Sequence, residues 1–366
     1  MKESSKKFHP GQPMYDMSGN RIQAHGGSLF YENGIYHFYG ENKEKTTGKC
    51  KIWAWGVRSY SSKDLYYWKD EGLIIPPDLK DKKSLLHPYH YLDRPHIIYS
   101  HATGKYVCWI KFSAKKESCF LVLTADKFSG PYTIVKTHFR PYGLEVGDFD
   151  IYQDKVTDKS YLYFANGRQG IIACELTFDC TDVIGEYRIY YQGLVVPFCR
   201  EGIAVFEYNN QLYMFTSGMT GYVPNASQIA KLSSPLGELT ELGSPHINDE
   251  SGSSFHSQIS TVFTHPEYPD VLISLADRWI PSLKFTKEKS ENTMRAIAAC
   301  MSRKYHAKLS EIMSLAFLPL NCKRVNTSIS DYVWLPVSLE EGKPIIKWFD
   351  EWSIEELVYK EQNANK

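Results

Sequence analysis

The sequence predicts an all-β fold, a five-bladed β-propeller, and three observations carry that prediction. A motif of one polar residue, an apolar strand, a tight turn and an aromatic strand recurs five times. A second half-repeat of strand, Ser/Asp-rich turn and strand follows the first four copies. The copies start roughly 50–70 residues apart, the spacing of four-stranded units arranged around an axis.

The five copies begin at His25 (HGGSLFYENGIYHFYGE), Asp93 (DRPHIIYSHATGKYVCWIKF), Asp148 (DFDIYQDKVTDKSYLYFANG), Glu201 (EGIAVFEYNNQLYMFTSG) and Gln258 (QISTVFTHPEYPDVLISLADRW). Hairpin turns divide them at Glu32-Asn33-Gly34, Ala102-Thr103-Gly104-Lys105 and Asn209-Asn210-Gln211. Second half-repeats occupy residues 57–75, 119–136, 171–191 and 228–242. The last unit is less regular. Residues 288–318 have helical spacing and predict an insertion between the third and fourth strands of blade five, or beside it. Residues 332–352 then supply a strand, a Glu340-Glu341-Gly342-Lys343 turn and a closing strand. A two-sheet sandwich would not require a polar residue at one register of every repeat. No linker composition interrupts residues 1–366, which read as a single domain.

The chain carries 42 basic and 42 acidic residues, so charge gives no reason to expect a nucleic-acid or membrane partner. The 26 Tyr, 18 Phe and 8 Trp suit pleated strands and also supply faces for sugar rings. MKESSKKFHP lacks the apolar stretch of a secretory leader. The eight cysteines form no CxxC pair and are expected as buried, reduced thiols in a cytoplasmic protein. No GxGxxG, P-loop, HExxH or GxSxG motif is present.

In a propeller the first strand of each blade lines the axis. The repeated polar position, hereafter position zero, therefore converges from five distant parts of the chain: His25, Asp93, Asp148, Glu201 and Gln258. Asp favours turns, but Glu and Gln at the same register do not. Converging carboxylates suit glycosidic hydrolysis, where a protonated acid serves the leaving oxygen and a second group activates water. Burial and neighbouring negative charge keep one carboxyl protonated.

The motifs QAHGGSLFYENGIYHFYGE, DRPHIIY, GDFDIYQD, REGIAVFEYNNQLYMFTSGMTGYVPN, SFHSQISTVF and ADRW together resemble glycoside hydrolase family 43, nearest its exo-β-1,3-galactanase-like branch. The resemblance implies a five-bladed propeller and an inverting, exo-acting mechanism. It implies Glu201 as the general acid and Asp148 as the carboxylate that tunes it. Asp93 falls where that branch has Glu, and Gln258 matches a glutamine associated with the attacking water. Most of the family has an aspartate base at the start of blade one, where this chain has His25. Asp93 is therefore the first choice for base, ahead of Gln258 and His25.

Glu41, Arg94, Tyr222, Arg278, Trp279 and His25 are the expected substrate-binding residues. Trp53, Trp55 and Trp68 are expected to pack blades. No metal-ligand spacing appears, so no cofactor is expected, apart from the structural calcium near His256 that some relatives suggest. The predicted partner is a neutral oligosaccharide: a β-galactoside or, on the same fold, an arabinofuranoside, xyloside or galactofuranoside. A non-catalytic sugar-binding propeller and a glycoside phosphorylase are the competing readings.

Overall fold

The computed structural model describes residues 6–114, 117–167 and 169–364, with side chains to residue 359. The first five residues of the MKESSKKFHP stretch lie outside it. Blade one comprises β1 (His25–Glu32), β2 (Ile35–Glu41), β3 (Val57–Ser62) and β4 (Lys69–Ile75). Blade two comprises β5 (Tyr91–Ser100), β6 (Lys105–Ala114), β7 (Glu117–Ala125) and β8 (Thr133–Phe139). Blade three comprises β9 (Phe149–Gln153), β10 (Ser160–Asn166), β11 (Gly170–Leu176) and β12 (Val183–Tyr190). Blade four comprises β13 (Arg200–Tyr208), β14 (Gln211–Gly218), β15 (Gln228–Leu232) and β16 (Leu239–Gly243). Each is a simple antiparallel meander.

Blade five differs. A short outer strand, β17 (His246–Ile247), precedes the inner strands β18 (Gln258–Thr264) and β19 (Leu272–Arg278). The helices α1 (Lys287–Met301) and α2 (Leu309–Ser314) follow. The short strand β20 (Asp331–Tyr332) then pairs with β19, and β21 (Leu335–Glu340) and β22 (Lys343–Lys347) complete the blade. The insertion therefore separates the second and third strands of blade five, where the expectation was between the third and fourth or beside the blade. The sequence pattern located the helices, but strand order is set by which edge the returning chain pairs with. Here β21 pairs with β19, while β22 lies outside β21, parallel to β17. Helix α3 (Ile354–Ala364) ends the described chain.

The turns follow from residue type. Asn33-Gly34, Asn209-Asn210 and Glu341-Gly342 are two-residue hairpin loops with φ of 50° and 79°, 50° and 58°, and 50° and 78°. Those are the left-handed values a type I′ turn requires, and Asn and Gly reach them at least cost. Burial between blades follows the apolar runs. Phe38, Trp68, Tyr332 and Trp334 pack at the seam of blades one and five, and Trp109, Phe120, Phe149 and Phe164 between blades two and three. Trp68 is a packing residue, as expected. The N-terminal segment straps the ring: Phe8 and Trp352 exchange backbone hydrogen bonds of 2.8 and 3.1 Å.

Each inner strand packs against the next, and β1 against β18 closes the circle. In blades one, two and four the pairing register shifts immediately after position zero, a β-bulge that re-aims the side chain before it. The residue after position zero is left-handed in each: Gly26 (φ 53°), Arg94 (φ 48°) and Gly202 (φ 59°). At Gly202 a Cβ would also lie 2.5 Å from Ser217 Oγ and 3.0 Å from Gln258 Nε2. One residue beyond Gly26, a Cβ on Gly27 would lie 2.0 Å from the Tyr39 carbonyl oxygen. Backbone in a central strand pair cannot yield by that much. Gly27→Ala is therefore expected to destabilise the fold by about 1–3 kcal/mol or more, read as a lowered midpoint in denaturant unfolding. An unchanged midpoint would refute this account of the bulge.

Candidate active site

Position zero lies at one end of the five inner strands, and a cleft of about 380 Å³ opens there. Asp93, Asp148, Glu201 and Gln258 all line it, from blades two, three, four and five. Glu41, Arg94, Tyr222 and Trp279 line it as well. Eight of the ten expected residues thus converge on one cavity, and two do not. His25 is fully buried: its Nδ1 lies 2.8 Å from Asp277 Oδ1 and its ring stacks on Tyr332 at 4.7 Å. Asp277 also accepts the Gly26 amide, so the pair fastens blade one to blade five behind the cleft. Arg278 follows Asp277 on the strand, and strand alternation turns it away from the cavity. It donates to the Phe255 carbonyl at 2.8 Å and lies over the Trp348 ring. Both residues are corrected from substrate binding to structure.

The charges are arranged in pairs. Arg94 Nε lies 2.9 Å from Asp148 Oδ2, and its backbone N–H donates to Glu41 Oε1 at 2.9 Å. These two bonds hold the left-handed Arg94 in place. Lys111, directly across β6 from Asp93, places Nζ 3.3 Å from Asp93 Oδ2 and 3.4 Å from Asp148 Oδ1. Burial alone would raise the Asp148 carboxyl, but Arg94 and Lys111 outweigh it and hold the group below its usual range. Glu201 behaves in the opposite way. Burial, then the charge of Asp148, push it up to about 8 against the opposing pull of Lys111, Arg94 and Arg200. Among the described residues nothing hydrogen-bonds to its carboxyl. The site therefore sets a protonated acid with a free proton beside a carboxylate held ionised, the division of labour acid catalysis needs.

Glu41 is buried and raised by that burial, although Lys43 lies 2.6 Å away. Lys43 is itself fully buried; it donates to the Trp53 carbonyl and sits 4.5 Å from that ring's centroid. Trp53 is thereby held at the cavity, where its indole N–H donates to Asp93 and its ring stacks on Tyr222 at 5.8 Å and 12°. This corrects the expectation that Trp53 packs a blade. Trp55 lies under Lys45, whose ammonium is 3.6 Å from its ring centroid. Tyr222 stands on a loop pinned by Asn225, whose side chain accepts from and donates to the Gly218 backbone at 2.7 and 2.9 Å. Trp279 completes the aromatic wall 4.8 Å from Tyr222 and donates to Gln258 Oε1. Gln258 donates in turn to Ser217 Oγ at 2.9 Å, so its amide orientation is fixed from both ends.

The reading of the sequence missed Lys111, Trp53, Lys43, Ser217 and Asp277. A signal existed for three of them. Position-zero residues pair across the sheet with Glu41, Lys111, Ser217 and Asp277. Each is a polar residue near the end of a largely apolar second strand, yet of these four only Glu41 stood out. Trp53 and Lys43 lie on the β2–β3 connection, whose path no periodicity describes.

His256 is not at the axis; its Nε2 accepts the Phe285 amide at 2.7 Å. The axial residues are His96 and Asp150, in a separate cleft at the other end of the inner strands. Asp150 accepts the Ile151 and Val205 amides, and a ring nitrogen of His96 lies 3.2 Å from it. Calcium takes about six to eight oxygen ligands, and this donor set does not fit it. Among the described residues, one group of three or more His, Cys, Asp or Glu side chains is close enough to share an ion: Glu117, Cys119 and His138, outside the active-site cleft. All eight cysteines are free, but Cys50 and Cys300 are exposed and Cys322 lines the cleft, contrary to the expectation of uniform burial. No helix among the described residues is long and apolar enough to cross a membrane.

A sequence profile of the glycosyl hydrolases family 43 matches residues 24–262. No curated protein sequence matches. Among solved structures, a family 43 β-1,3-galactosidase superposes with a TM-score of 0.75 at 25% identity, covering 96% of this chain and 64% of its own. This chain thus spans just under two thirds of that protein's length. A second β-1,3-galactosidase, with galactodeoxynojirimycin, gives 0.74 at 22% identity over 95% of this chain and 100% of the other. The exo-β-1,3-galactanase of Phanerochaete chrysosporium, with β-1,3-galactotriose, gives 0.73 at 20% identity over 95% of this chain and 68% of the other.

Proposed function

This chain belongs to glycosyl hydrolase family 43 and is a glycoside hydrolase, and from that premise we propose that it is an inverting exo-enzyme acting on β-1,3-linked galactosides. The observation that carries the reading is the pairing of a raised, unbonded Glu201 with an Asp148 held ionised by Arg94 and Lys111. Glu201 protonates the leaving oxygen, and Asp148 sustains its pKa. Asp93, the third position-zero carboxylate in the cleft, accepts the proton of the attacking water, and the fixed amide of Gln258 orients that water. The Trp53–Tyr222–Trp279 wall takes the apolar face of a pyranose ring. The galactosidases and galactanase matched above support galactose as the sugar.

Phosphorolysis is not favoured. Arg94 and Lys111, the cations in the cleft, are already paired with carboxylates, and Arg200 donates to Thr216. The test is a panel of nitrophenyl glycosides and β-1,3-galacto-oligosaccharides with product anomers followed by NMR. Galactose released first as the α-anomer, one residue at a time and without phosphate, is the expected result. Retention of the β-anomer, dependence on phosphate, or sugar binding without hydrolysis would each overturn it.

A further inference from the structure

Position zero brings three carboxyl groups, Asp93, Asp148 and Glu201, into one cleft of modest size. Left to themselves, three such groups would share protons in no defined order, because like charges at short range suppress each other's ionisation. The mechanism above needs a strict order: Asp93 and Asp148 ionised, Glu201 protonated. Something must separate the first two from the third. Arg94 does half of this, since its guanidinium reaches Asp148, and its backbone Glu41.

Resting on the glycosidase reading, we propose that Lys111 is the positioning residue that fixes this protonation order, its ammonium bridging the carboxylates of blades two and three. The geometry supports the assignment in three ways. Lys111 sits at the cross-strand register of Asp93, so its backbone position is tied to that of the residue it serves. Its Nζ lies within 3.4 Å of a carboxylate oxygen from each blade. Its side chain is only 19% exposed, so water screens the bridge little. An ammonium has three N–H groups. Two serve the carboxylates and one remains for the cleft.

The groups facing Lys111 are few. Asp93 and Arg94 come from β5, Asp148 from the start of blade three and Glu201 from β13. Glu41 faces the cleft from blade one, already matched by Lys43; Tyr222 and Cys322 carry protons, and burial raises both. With Lys111 and Arg94 charged, the two aspartates are neutralised and Glu201 is left as the uncharged member. Burial opposes the charge on Lys111, but Asp93, Asp148 and Glu201 outweigh it and hold the ammonium above its usual value.

The sign of the effect follows. Lys111 lowers the pKa of both Asp148 and Glu201, so removing its charge raises both. Lys111→Met and, as the better-folding polar alternative, Lys111→Gln should move both limbs of the pH–rate profile to higher pH by about one pH unit or more. The acidic limb reports Asp148, which must ionise, and the alkaline limb Glu201, which must stay protonated. Lys111→Arg, which keeps the charge, should restore the limbs towards wild type. A merely structural lysine would lower the active fraction without moving either limb. Carboxyl ¹³C NMR titration, with Glu201→Gln and Asp148→Asn used to assign the signals, gives the same readout without turnover. Midpoints for Glu201 and Asp148 that rise in Lys111→Met or Lys111→Gln support the proposal. Midpoints that stay put overturn it, whether or not the glycoside panel finds a substrate. Failure of the panel with shifted midpoints would overturn the substrate reading alone.

Discussion

Glu201→Gln is expected to reduce kcat on a β-1,3-galactoside by about 10²–10⁴-fold, the range associated with losing a general acid. Glutamine is nearly isosteric and carries no proton to give. The Glu201 carboxyl makes no hydrogen bond among the described residues, so the substitution breaks no structural contact and the thermal midpoint should hold. Sugar affinity, measured by calorimetry, should also hold, because Trp53, Tyr222 and Trp279 are untouched. The loss should also depend on the leaving group. Substrates with an acidic phenol need little protonation, so they should lose much less than disaccharides. Wild-type activity is expected to fall as pH rises through about 8, where Glu201 gives up its proton. That alkaline limb should vanish from whatever activity the variant retains. Near-wild-type turnover of the disaccharide would remove Glu201 from the role of acid.

Asp148→Asn should have the second-largest effect, and on two quantities at once. The Asp148 charge raises Glu201, and its loss leaves Arg94 without its carboxylate partner and Lys111 with Asp93 alone, so both cations act more strongly on Glu201. The acid then ionises at lower pH, so the alkaline limb moves down and activity at neutral pH drops. The direction is opposite to that expected for loss of Lys111, which makes the pair a test of the same electrostatic account from both sides. Stability also falls. Arg94 is 7% and Lys111 19% exposed in their side chains, and each loses a carboxylate partner. Removing one member of such a buried set costs about 3–5 kcal/mol, visible in urea unfolding. An unchanged alkaline limb in a folded variant would refute the assigned role of Asp148.

The fold was legible because propeller blades are local. A four-stranded meander is closed by short turns, and the turn residues, Asn33-Gly34, Asn209-Asn210 and Glu341-Gly342, state their own conformation. The alternation and apolar runs between them leave little freedom in register. The insertion was legible as helix but misplaced by one strand. Periodicity identifies an element and is silent about which sheet edge the next element will join.

The site divides along the same line. Asp93, Asp148, Glu201 and Gln258 were found because repetition marks a shared position, and shared position in a ring means convergence. His25 occupies that position too, and the inference failed there. Its neighbour across the sheet is Glu41, while Asp277 and Tyr332, from blade five, take up its ring and close the seam. Membership of the register says that a side chain approaches the axis, not that it reaches the cavity. Arg278 failed for a simpler reason: its neighbour Asp277 faces inward, so Arg278 cannot.

By itself, then, the sequence determined the five blades and the position at which they converge, and its resemblance to family 43 singled out Glu201 as the acid. The first two rest on repetition and turn chemistry, both properties of short stretches of chain. Tertiary structure alone decided which of the converging groups would be charged. That depends on Lys111 standing between two blades, on Arg94 reaching Asp148 in blade three, and on Lys43 carrying Trp53 to the rim. Protonation order is a matter of distances of a few ångströms between residues tens of positions apart, and such distances exist only once the ring has closed.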